Sequence, residues 1–404
     1  MGFDLAALPT FPWDLLAPHK RQAQAHPGGL IDLSVGSPVD PTPPVLREAL
    51  AGAADAPGYP PTIGANALRQ AIAAHYADQR GVPGIPPEAI IPTIGSKEAV
   101  ALLPSLLGLG PGAVVVHPRI AYPTYDVGAR LAGASPLPAD LPDEVPPEAA
   151  DRVKLVWLNS PANPTGRVAS VEELRSWVDW ARPRGVVIAA DECYAALAWT
   201  EPWSSQGVPS LLDPRVVGGS AKAPTGRSAA TGARAEPGVA STVAGSVDLT
   251  GLLALGSLSK RSSAAGYRAA WLVGDPALLA RIAELRKHIG LMTPAPVQAA
   301  LTAALADQAH VAEARRVYGR RRARLLGAVT QAGYEVAESG AGLYLWFTTP
   351  DRQDGWLTVA DLASIGILVA PGAFYGEAGR PFARMALTAT DAQVAEAAGR
   401  LSAA

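Results

Sequence analysis

The chain has 404 residues, of which 49% are hydrophobic, and its 34 basic and 36 acidic residues give a formal net charge of −2. This length accommodates a large domain and a smaller one, and the near-neutral charge gives no reason to expect nucleic acid or an anionic membrane surface as a partner. No apolar run approaches the roughly 20 residues that cross a bilayer, and the N-terminus lacks the basic start of a signal peptide.

The first half of the chain predicts a helix over residues 66–80 and a strand over 113–116. A glycine run at 108–112 looks like a dinucleotide-binding loop. It follows a helical stretch and precedes the strand, however, which reverses the strand-turn-helix order that such a loop requires. We therefore interpret these glycines as a helix stop.

A rigid polar loop is predicted in the middle of the chain. Residues 159–166, Asn-Ser-Pro-Ala-Asn-Pro-Thr-Gly, follow an apolar strand predicted at 154–158. The prolines and the glycine restrict the loop and present Asn163 as a donor. Because open α/β sheets bind ligands at the carboxyl ends of their strands, this loop is a candidate binding segment.

The next strand end carries a carboxylate. Ser170 and Glu173 form a capping box, which predicts the start of a helix that runs to about Arg182. The strand predicted at 186–190 then leads directly into Asp191. Asp191 therefore also lies at the carboxyl end of a strand.

The most informative segment is Ser257-Leu258-Ser259-Lys260, which follows an apolar run at 252–255 and precedes Arg268. A lysine amine can condense with an aldehyde cofactor, and the serines and the guanidinium supply donors for a phosphate. These groups suit pyridoxal phosphate, whose ring nitrogen Asp191 would keep protonated so that the ring withdraws electrons. Alone, a lysine at this place is more often a solvated strand end, so the interpretation depends on the other motifs.

Two further strands are predicted at 252–255 and 269–273. Strands alternate with helices along the chain, which predicts a mostly parallel sheet between helices. We place a large cofactor-binding domain at 53–290, an N-terminal segment of a smaller domain at 1–52, and a linking helix with the rest of the smaller domain at 291–404. The linking helix is expected to run unbroken over 296–332. Residues 218–246, rich in Gly, Ala, Ser and Thr, are expected to form a flexible surface insertion.

In order and spacing, these motifs resemble those of the class I/II aminotransferases of fold type I, which use pyridoxal 5′-phosphate. The resemblance covers almost the whole chain and includes Tyr59 with Gly64, Gly95-Ser96-Lys97, Tyr122-Pro123-Thr124-Tyr125 and Arg384. It implies an α/β fold with a mostly parallel seven-stranded sheet in the large domain and a smaller α+β domain.

The same resemblance implies a role for each site residue. Lys260 would be the covalent anchor and the base, with Asp191 and Tyr194 as further catalytic residues. The expected cofactor-binding residues are Lys260, Ser96, Lys97, Tyr122, Asn163, Asp191, Tyr194, Ser257, Ser259, Arg268 and Tyr59, the last reaching the phosphate from a neighbouring subunit. Arg384 would bind the substrate's α-carboxylate, helped by Gly36 and Asn163.

More narrowly, the chain resembles the actinobacterial type of N-succinyldiaminopimelate aminotransferase. The segments that carry this likeness are Phe11-Pro12-Trp13-Asp14, 32–40, 92–98, 257–262, 286–288 and 294–298. The likeness implies transamination of N-succinyl-LL-2,6-diaminopimelate with 2-oxoglutarate in lysine and diaminopimelate biosynthesis. A distal succinyl carboxylate needs a cation beyond Arg384, and the sequence leaves Arg119, Lys97, Lys287 and several others open.

Other functions use the same residues. An aminotransferase for aspartate, an aromatic amino acid or LL-diaminopimelate, or a C–S lyase of this fold, stays open. A regulatory protein that only binds the cofactor is disfavoured, because no basic helix-turn-helix segment is appended. A catalytically inactive relative would bind the cofactor without turnover.

The expected partners are small amino and 2-oxo acids and a second copy of the chain, in a homodimer with active sites at the interface. The six histidines show no close pairing at metal-ligand spacing, so no metal site is expected. The single cysteine, Cys193, forbids an internal disulfide and suits a reducing cytoplasm.

Overall fold

The computed structural model describes residues 8–9, 11–218 and 247–403. Apart from Gly218, the predicted insertion lies outside these residues. The helices are α1 (Ala17–Gln24), α2 (Pro44–Gly52), α3 (Asn66–Arg80), α4 (Ser96–Leu106), α5 (Thr124–Leu131), α6 (Pro147–Ala150), α7 (Val171–Ala181), α8 (Trp203–Gln206), α9 (Pro214–Val217), α10 (Leu258–Arg261), α11 (Pro276–His288), α12 (Ala295–Ala306), α13 (Ala309–Gln331), α14 (Gly355–Ser364) and α15 (Asp391–Ala403). The strands are β1 (Ile31–Asp32), β2 (Ile90–Ile94), β3 (Val114–His117), β4 (Ser135–Pro138), β5 (Val153–Asn159), β6 (Val187–Asp191), β7 (Leu252–Ser257), β8 (Ala269–Gly274), β9 (Glu335–Ala337), β10 (Tyr344–Thr348), β11 (Ile367–Leu368), β12 (Ala370–Pro371) and β13 (Phe382–Ala386).

A seven-stranded sheet forms the centre of the larger part of the molecule, in the order β2-β8-β7-β6-β5-β3-β4. Strands β4, β3, β5, β6 and β7 are parallel, while β8 runs antiparallel to both of its neighbours. The mostly parallel α/β sheet predicted from the sequence is therefore confirmed. Each predicted strand is present, with its ends shifted by at most two residues.

Both faces of this sheet are covered by helices, as a parallel sheet requires. Trp157 of β5 points into a core that includes Leu103 of α4 and Ile282 of α11. Its neighbour Val156 points to the other face, into a core with Ile72 of α3. The period-2 alternation of strand side chains thus divides the apolar residues between two layers.

Helix α7 begins as the sequence predicts. The Ser170 hydroxyl accepts from the Glu173 backbone N–H, and the Glu173 carboxylate accepts from the Ser170 N–H at 2.8 Å. This reciprocal capping box satisfies two donors that the first turn leaves without partners. At the other end of a helix, α4 stops at Leu106 and Gly108 follows with φ 76°, which confirms the glycine run as a helix stop.

A four-stranded antiparallel sheet, β12-β13-β10-β9, forms the centre of the smaller part. Strand β1 near the N-terminus pairs in parallel with β11, where Ile31 lies opposite Ile367. Helices α13 and α15 pack against each other beside this sheet. The first and last parts of the chain therefore meet, while the exact domain boundaries stay predictions.

The unbroken linking helix predicted over 296–332 is wrong, because two helices, α12 and α13, occupy this region. Asp307 between them has extended backbone angles, φ −98° and ψ 114°. Its carboxylate accepts from the N–H of Ala309, the first residue of the second helix, at 2.8 Å. Asp307 therefore separates the two helices: its extended backbone ends α12, and its side chain contacts the first residue of α13. Within the described part of the chain, no helix is both long and apolar enough to cross a membrane.

Candidate active site

A cleft of about 510 Å³ opens at the carboxyl ends of the central parallel strands. The predicted site residues that line it are Gly36, Ser96, Lys97, Tyr122, Asn163, Asp191, Tyr194, Ser257, Ser259, Lys260, Arg268 and Arg384. Tyr59 is the one predicted site residue that does not line the cleft. Parallel strands end at one edge of a sheet, which is why motifs far apart in sequence meet here.

The polar loop after β5 is held by Asn159, the last residue of that strand. The Asn159 amide donates to the backbone oxygens of Asp191 and Pro161, at 3.0 and 3.2 Å. Its side-chain oxygen accepts from the Asn163 backbone N–H at 2.8 Å. Asn159 therefore fixes the loop relative to β6 and turns the buried Asn163 toward the cleft.

Asp191 ends β6 and is 7% exposed. One carboxylate oxygen accepts from the Cys193 backbone N–H and the other from the Tyr125 hydroxyl, both at 3.1 Å. Burial raises the pKa of Asp191 above the usual range for an aspartate, while these hydrogen bonds act in the opposite direction. A cationic N–H group of a molecule bound in the cleft would balance the charge of this buried carboxylate.

Lys260 lies on the short helix α10, directly after β7. The Ser257 hydroxyl caps this helix by accepting from the Ser259 N–H at 3.1 Å. The Lys260 amine donates to the backbone oxygen of Gly36. A Cβ at Gly36 would overlap the Tyr344 hydroxyl. Glycine therefore lets this segment pass close to Tyr344, where its backbone oxygen meets the Lys260 amine.

One end of the cleft is suited to an anion. Helix α4 begins at Ser96, and among the described residues no side chain caps its N-terminus. Gly95 before it has φ 80°, and a Cβ there would overlap the Arg268 guanidinium. The free N–H groups and the positive end of an eleven-residue helix, together with Arg268, suit an anion such as a phosphate.

Arg384 lies on β13 at the opposite end and is 2% exposed. It donates to the Asn163 side-chain oxygen at 3.0 Å and to the Ser34 backbone oxygen at 2.6 Å. Its Nε has no partner within the described residues. The guanidinium therefore has a remaining donor. Its central carbon lies 4.0 Å from the ring centroid of Tyr344 and 5.0 Å from that of Tyr375, and the side chain lines the cleft.

Sequence reasoning did not identify Tyr344. Its hydroxyl lies 3.2 Å from that of Tyr194, and its ring covers Arg384. Burial raises its pKa, but Arg384 and Lys260 outweigh burial and lower it, whereas burial raises the pKa of Tyr194 well above the usual range. The aromatic strand around Tyr344 signals only a buried strand, because the register with β13 that brings it to Arg384 is a tertiary property.

The mouth of the cleft is aromatic and carries one of the three cations named from the sequence. Phe11 and Trp13 line it with their ring centroids 5.7 Å apart, and the Lys97 ammonium lies 5.6 Å from the Phe11 centroid. Arg119 is instead bound to Glu144 and Lys287 to Glu284, both outside the cleft. Of those three, Lys97 alone lines the cleft.

Tyr59 is 94% exposed, far more than any other large hydrophobic side chain that the structure describes. It lies in the loop between α2 and α3 and does not reach the cleft of its own chain. Its predicted role therefore requires a second subunit and stays a prediction.

The cleft fits a cofactor with three separate features. Helix α4 and Arg268 suit a phosphate, the Lys260 amine suits an aldehyde, and the buried Asp191 suits a protonated ring nitrogen. Within the described residues, no group of His, Cys, Asp and Glu side chains could hold a metal ion.

Comparison with known proteins agrees with this chemistry. The family described as aminotransferase class I and II matches residues 29–401. A 4-dedimethylamino-4-oxo-anhydrotetracycline transaminase of Streptomyces rimosus is 51% identical over 395 residues, covering 98% of this chain and 99% of the relative. A probable aminotransferase of Mycobacterium tuberculosis is 49% identical over 400 residues, covering 98% of this chain and 86% of the relative. Among solved structures, a probable N-succinyldiaminopimelate aminotransferase from Thermus thermophilus superposes with a TM-score of 0.78 at 28% identity, covering 97% of this chain and 99% of that one.

Proposed function

Because the chain belongs to the class I and II aminotransferases, which use pyridoxal 5′-phosphate, we propose that it transaminates N-succinyl-LL-2,6-diaminopimelate with 2-oxoglutarate. The reaction would serve diaminopimelate and lysine biosynthesis. The observation that carries the proposal is the position of Lys97, an unpaired ammonium among the described residues, at the mouth of a cleft whose far end holds Arg384.

Pyridoxal phosphate, when bound, supplies an aldehyde that accepts and returns the amino group and a ring that withdraws electrons from the substrate's Cα. We assign its phosphate to the N-terminus of α4 with Arg268, Ser257 and Ser259. Tyr122, at the cleft wall, would stack on the ring. Asp191 would accept the hydrogen bond of the ring nitrogen, and the attraction between the two charges would hold that nitrogen protonated.

Lys260 has two tasks in this proposal. Its amine would hold the cofactor covalently and, once a substrate amine had displaced it, would be free to act as a base. The free amine would then move the proton between the substrate's Cα and the aldehyde carbon of the cofactor. General-base catalysis of this kind contributes about 10²- to 10⁴-fold to a rate.

Arg384 orients the substrate for that proton transfer. Its guanidinium would bind the α-carboxylate, and Asn163, which now occupies one of its donors, would add a hydrogen bond. Tyr194 would donate its hydroxyl to the cofactor ring oxygen. Because the aromatic rings of Tyr344 and Tyr375 exclude water from the guanidinium, the ion pair with a carboxylate is stronger than it would be in water.

Lys97 would bind the distal succinyl carboxylate. Its side chain extends from the first turn of α4 toward Phe11. Among the described residues, its ammonium has no ion-pair partner and makes no capping contact. An exposed ammonium at a cleft mouth attracts a second carboxylate without the desolvation cost of a buried charge.

A second candidate substrate is a polycyclic ketone, as in the name of the Streptomyces rimosus relative. The 51% identity over almost both entire chains favours it, as do the rings of Phe11 and Trp13 at the mouth. Aromatic side chains would stack on a planar ring system, and such contacts contribute about 0.5–1.5 kcal/mol beyond the buried area.

The test is a spectrum of the purified enzyme. Glutamate should replace the visible band of the bound cofactor by a near-ultraviolet band, and N-succinyl-2-amino-6-oxopimelate should restore the visible band. Restoration only by a 4-oxo-anhydrotetracycline supports the second candidate. If neither ketone restores the band although 2-oxoglutarate does, both substrates are wrong and the aminotransferase activity stands.

A variant tests the role of Lys97 directly. Lys97→Met keeps the backbone N–H groups of α4 and removes the charge, so KM for the succinylated keto acid should rise about tenfold. The N-butyryl analogue, which lacks the terminal carboxylate, should show no change in KM. An equal effect on both substrates would contradict a carboxylate contact.

We further propose that the chain forms a homodimer in the cytoplasm, with Tyr59 reaching the cofactor phosphate of the partner subunit. The 94% exposure of this aromatic side chain supports a covering subunit. The single buried cysteine, Cys193, suits a reducing compartment.

A further inference from the structure

A second cavity, of about 570 Å³, lies beside the active-site cleft. Its floor contains His75 of α3 and Arg261, the residue after Lys260. Cys193 and Ser257 line both this cavity and the cleft. The proposed transamination uses neither His75 nor Arg261.

The cavity has an excess of positive charge, because four arginines and three carboxylates line it. The buried carboxylate, Glu192, is fully engaged. It forms an ion pair with Arg80 at 2.7 Å and accepts from the Ser210 hydroxyl at 2.9 Å and from the Leu211 N–H at 2.8 Å. Glu192 therefore balances Arg80 and leaves Arg261 without a counter-charge.

Arg261 is 5% exposed. Its Nη1 lies 3.2 Å from His75 Nε2, while its Nε and Nη2 have no hydrogen-bond partner within residues 8–9, 11–218 and 247–403. Burial, with Arg80 adding to it, lowers the pKa of Arg261 to about 10, so the side chain stays charged at neutral pH. A buried guanidinium with two free nitrogens is costly unless something accepts its hydrogen bonds.

His75 lines the same cavity and carries another donor without a partner among the described residues. A guanidinium can only donate, so the contact with Arg261 requires an unprotonated Nε2 on His75. The neutral ring then carries its proton on Nδ1, which has no partner among the described residues. Burial lowers the pKa of His75 well below its usual value, as do the neighbouring Arg261 and Arg80, and this keeps the ring neutral.

The free groups of Arg261 and His75 are therefore all donors. Nε and Nη2 of a guanidinium form one edge, and two parallel N–H groups on this edge match two oxygens of a carboxylate or a phosphate. A halide has no second acceptor atom for this edge. We propose that this cavity binds a small oxyanion, a carboxylate or a phosphate, on the Nε–Nη2 edge of Arg261 with His75 as a further donor.

The test compares wild type with Arg261→Gln as full-length proteins loaded with pyridoxal phosphate. The midpoint of thermal unfolding is followed against sodium acetate and sodium phosphate, with sodium chloride holding the ionic strength constant. A ligand that binds only the folded state raises the midpoint as its concentration rises. Both proteins keep Arg384 and the helix α4 site, so binding there contributes equally and the difference reports the cavity.

Acetate or phosphate should raise the wild-type midpoint more than chloride does, and the apparent dissociation constant should be at least about tenfold weaker in Arg261→Gln. Which of the two salts acts at the lower concentration identifies the carboxylate or the phosphate. Arg215→Gln is the matched control, because Arg215 also lines the cavity but is bound to Asp213. It should retain the wild-type response.

Equal responses in wild type and Arg261→Gln, or an equal effect of chloride, would overturn the proposal. If Arg261→Gln does not fold, a crystal structure of the wild-type enzyme grown in acetate or phosphate decides. Oxyanion density on the Nε–Nη2 edge supports the site. Water alone there, or a side chain of this chain or of a partner subunit, rejects it.

Discussion

Arg384 donates a 3.0 Å hydrogen bond from Nη1 to the side-chain oxygen of Asn163. The arginine comes from β13 of the smaller sheet and the asparagine from the loop after β5 of the larger sheet. This contact joins the two sheets at the point where the substrate's α-carboxylate is proposed to bind. The carboxylate would share or replace a bond that already orients the guanidinium.

Arg384→Lys keeps the positive charge and removes the planar fork. Loss of a charge-assisted hydrogen bond costs about 1.5–3 kcal/mol, so KM for glutamate should rise by about ten- to a hundredfold. Steady-state kinetics with varied glutamate measure the change. Arg316→Lys is the control, because Arg316 is exposed and paired with Glu313 on α13. An unchanged KM in Arg384→Lys would mean that the α-carboxylate binds elsewhere.

Lys260→Ala removes both the covalent anchor and the base. Turnover should fall by at least about 10²- to 10⁴-fold, while the phosphate site at α4 still retains some cofactor. Stopped assays of amino-acid formation and the absorbance of the dialysed protein measure the two effects separately. Lys287→Ala, which removes an exposed lysine paired with Glu284, should leave both unchanged. Near-normal turnover of Lys260→Ala is incompatible with the assignment.

Asp191→Asn should have opposite effects with and without cofactor. Burial raises the folded-state pKa of Asp191, so its contribution to stability is present at low pH and is lost as pH rises through that pKa. At neutral pH the cofactor-free Asn variant should therefore unfold at a higher temperature than wild type. The difference should shrink toward the acidic range, near the ordinary aspartate pKa of about 3.9, where the carboxyl is protonated.

Addition of cofactor reverses this order, because only a carboxylate balances a protonated ring nitrogen. The stabilisation that the cofactor gives should be smaller in Asp191→Asn than in wild type. Scanning calorimetry of both forms at several pH values measures it, with the exposed Asp143→Asn as the control. Equal stabilisation by cofactor in both proteins would contradict the proposed contact.

Two substitutions of Tyr344 distinguish the role of its ring, which covers Arg384, from that of its hydroxyl, which contacts Tyr194. Tyr344→Phe keeps the ring 4.0 Å from Arg384 and removes the hydrogen bond to Tyr194. It should lower kcat with little change in KM for glutamate. Tyr344→Ala also removes the cation–π contact, worth about 0.5–2 kcal/mol, and should raise KM about two- to thirtyfold. If both variants change KM alike, the ring does not position the guanidinium.

The sequence predicts the interior of the large sheet better than its edges. The five strands that were predicted contain mostly apolar residues and lie inside the sheet, whereas β2 and β4, which were not predicted, are its two edges. Both edge strands contain proline, Pro92 in one and Pro136 in the other. Proline lacks the N–H that a central strand needs, so within sheets it occurs mainly in edge strands. Because a proline argues against a strand in sequence analysis, these two edge strands were missed.

The site follows the same division. Asn163, Asp191 and Lys260 could be located from sequence because each lies at or shortly after the carboxyl end of a strand, where open α/β sheets bind ligands. Tyr344 could not, since its place beside Arg384 depends on the pairing of β10 with β13. Arg261 could not be identified either, because its contact with His75 and its lack of a counter-charge depend on how α3 and α10 are placed in the fold.

Tyr59 provides a test of the proposed subunit arrangement. Tyr59→Ala should impair the partner's site, whereas Lys260→Ala inactivates its own. In a hybrid dimer, the subunit that carries Tyr59→Ala keeps Lys260 and receives an intact Tyr59 from its partner, so one native site is formed. Random exchange of equal amounts of these two variants should yield hybrid sites that contribute about a quarter of wild-type activity, above the residual activity of either parent.

The control for this experiment is a mixture of Lys260→Ala with Asp191→Ala, whose lesions both lie in the cleft of their own chain. No hybrid of these two contains a native site, so no activity should return. Co-purification of an untagged variant with an affinity-tagged one establishes that subunits have exchanged. If exchanged hybrids of Tyr59→Ala and Lys260→Ala remain as inactive as the parents, or if the protein sediments as a monomer, Tyr59 does not act across a subunit interface. Its 94% exposure would then need another explanation.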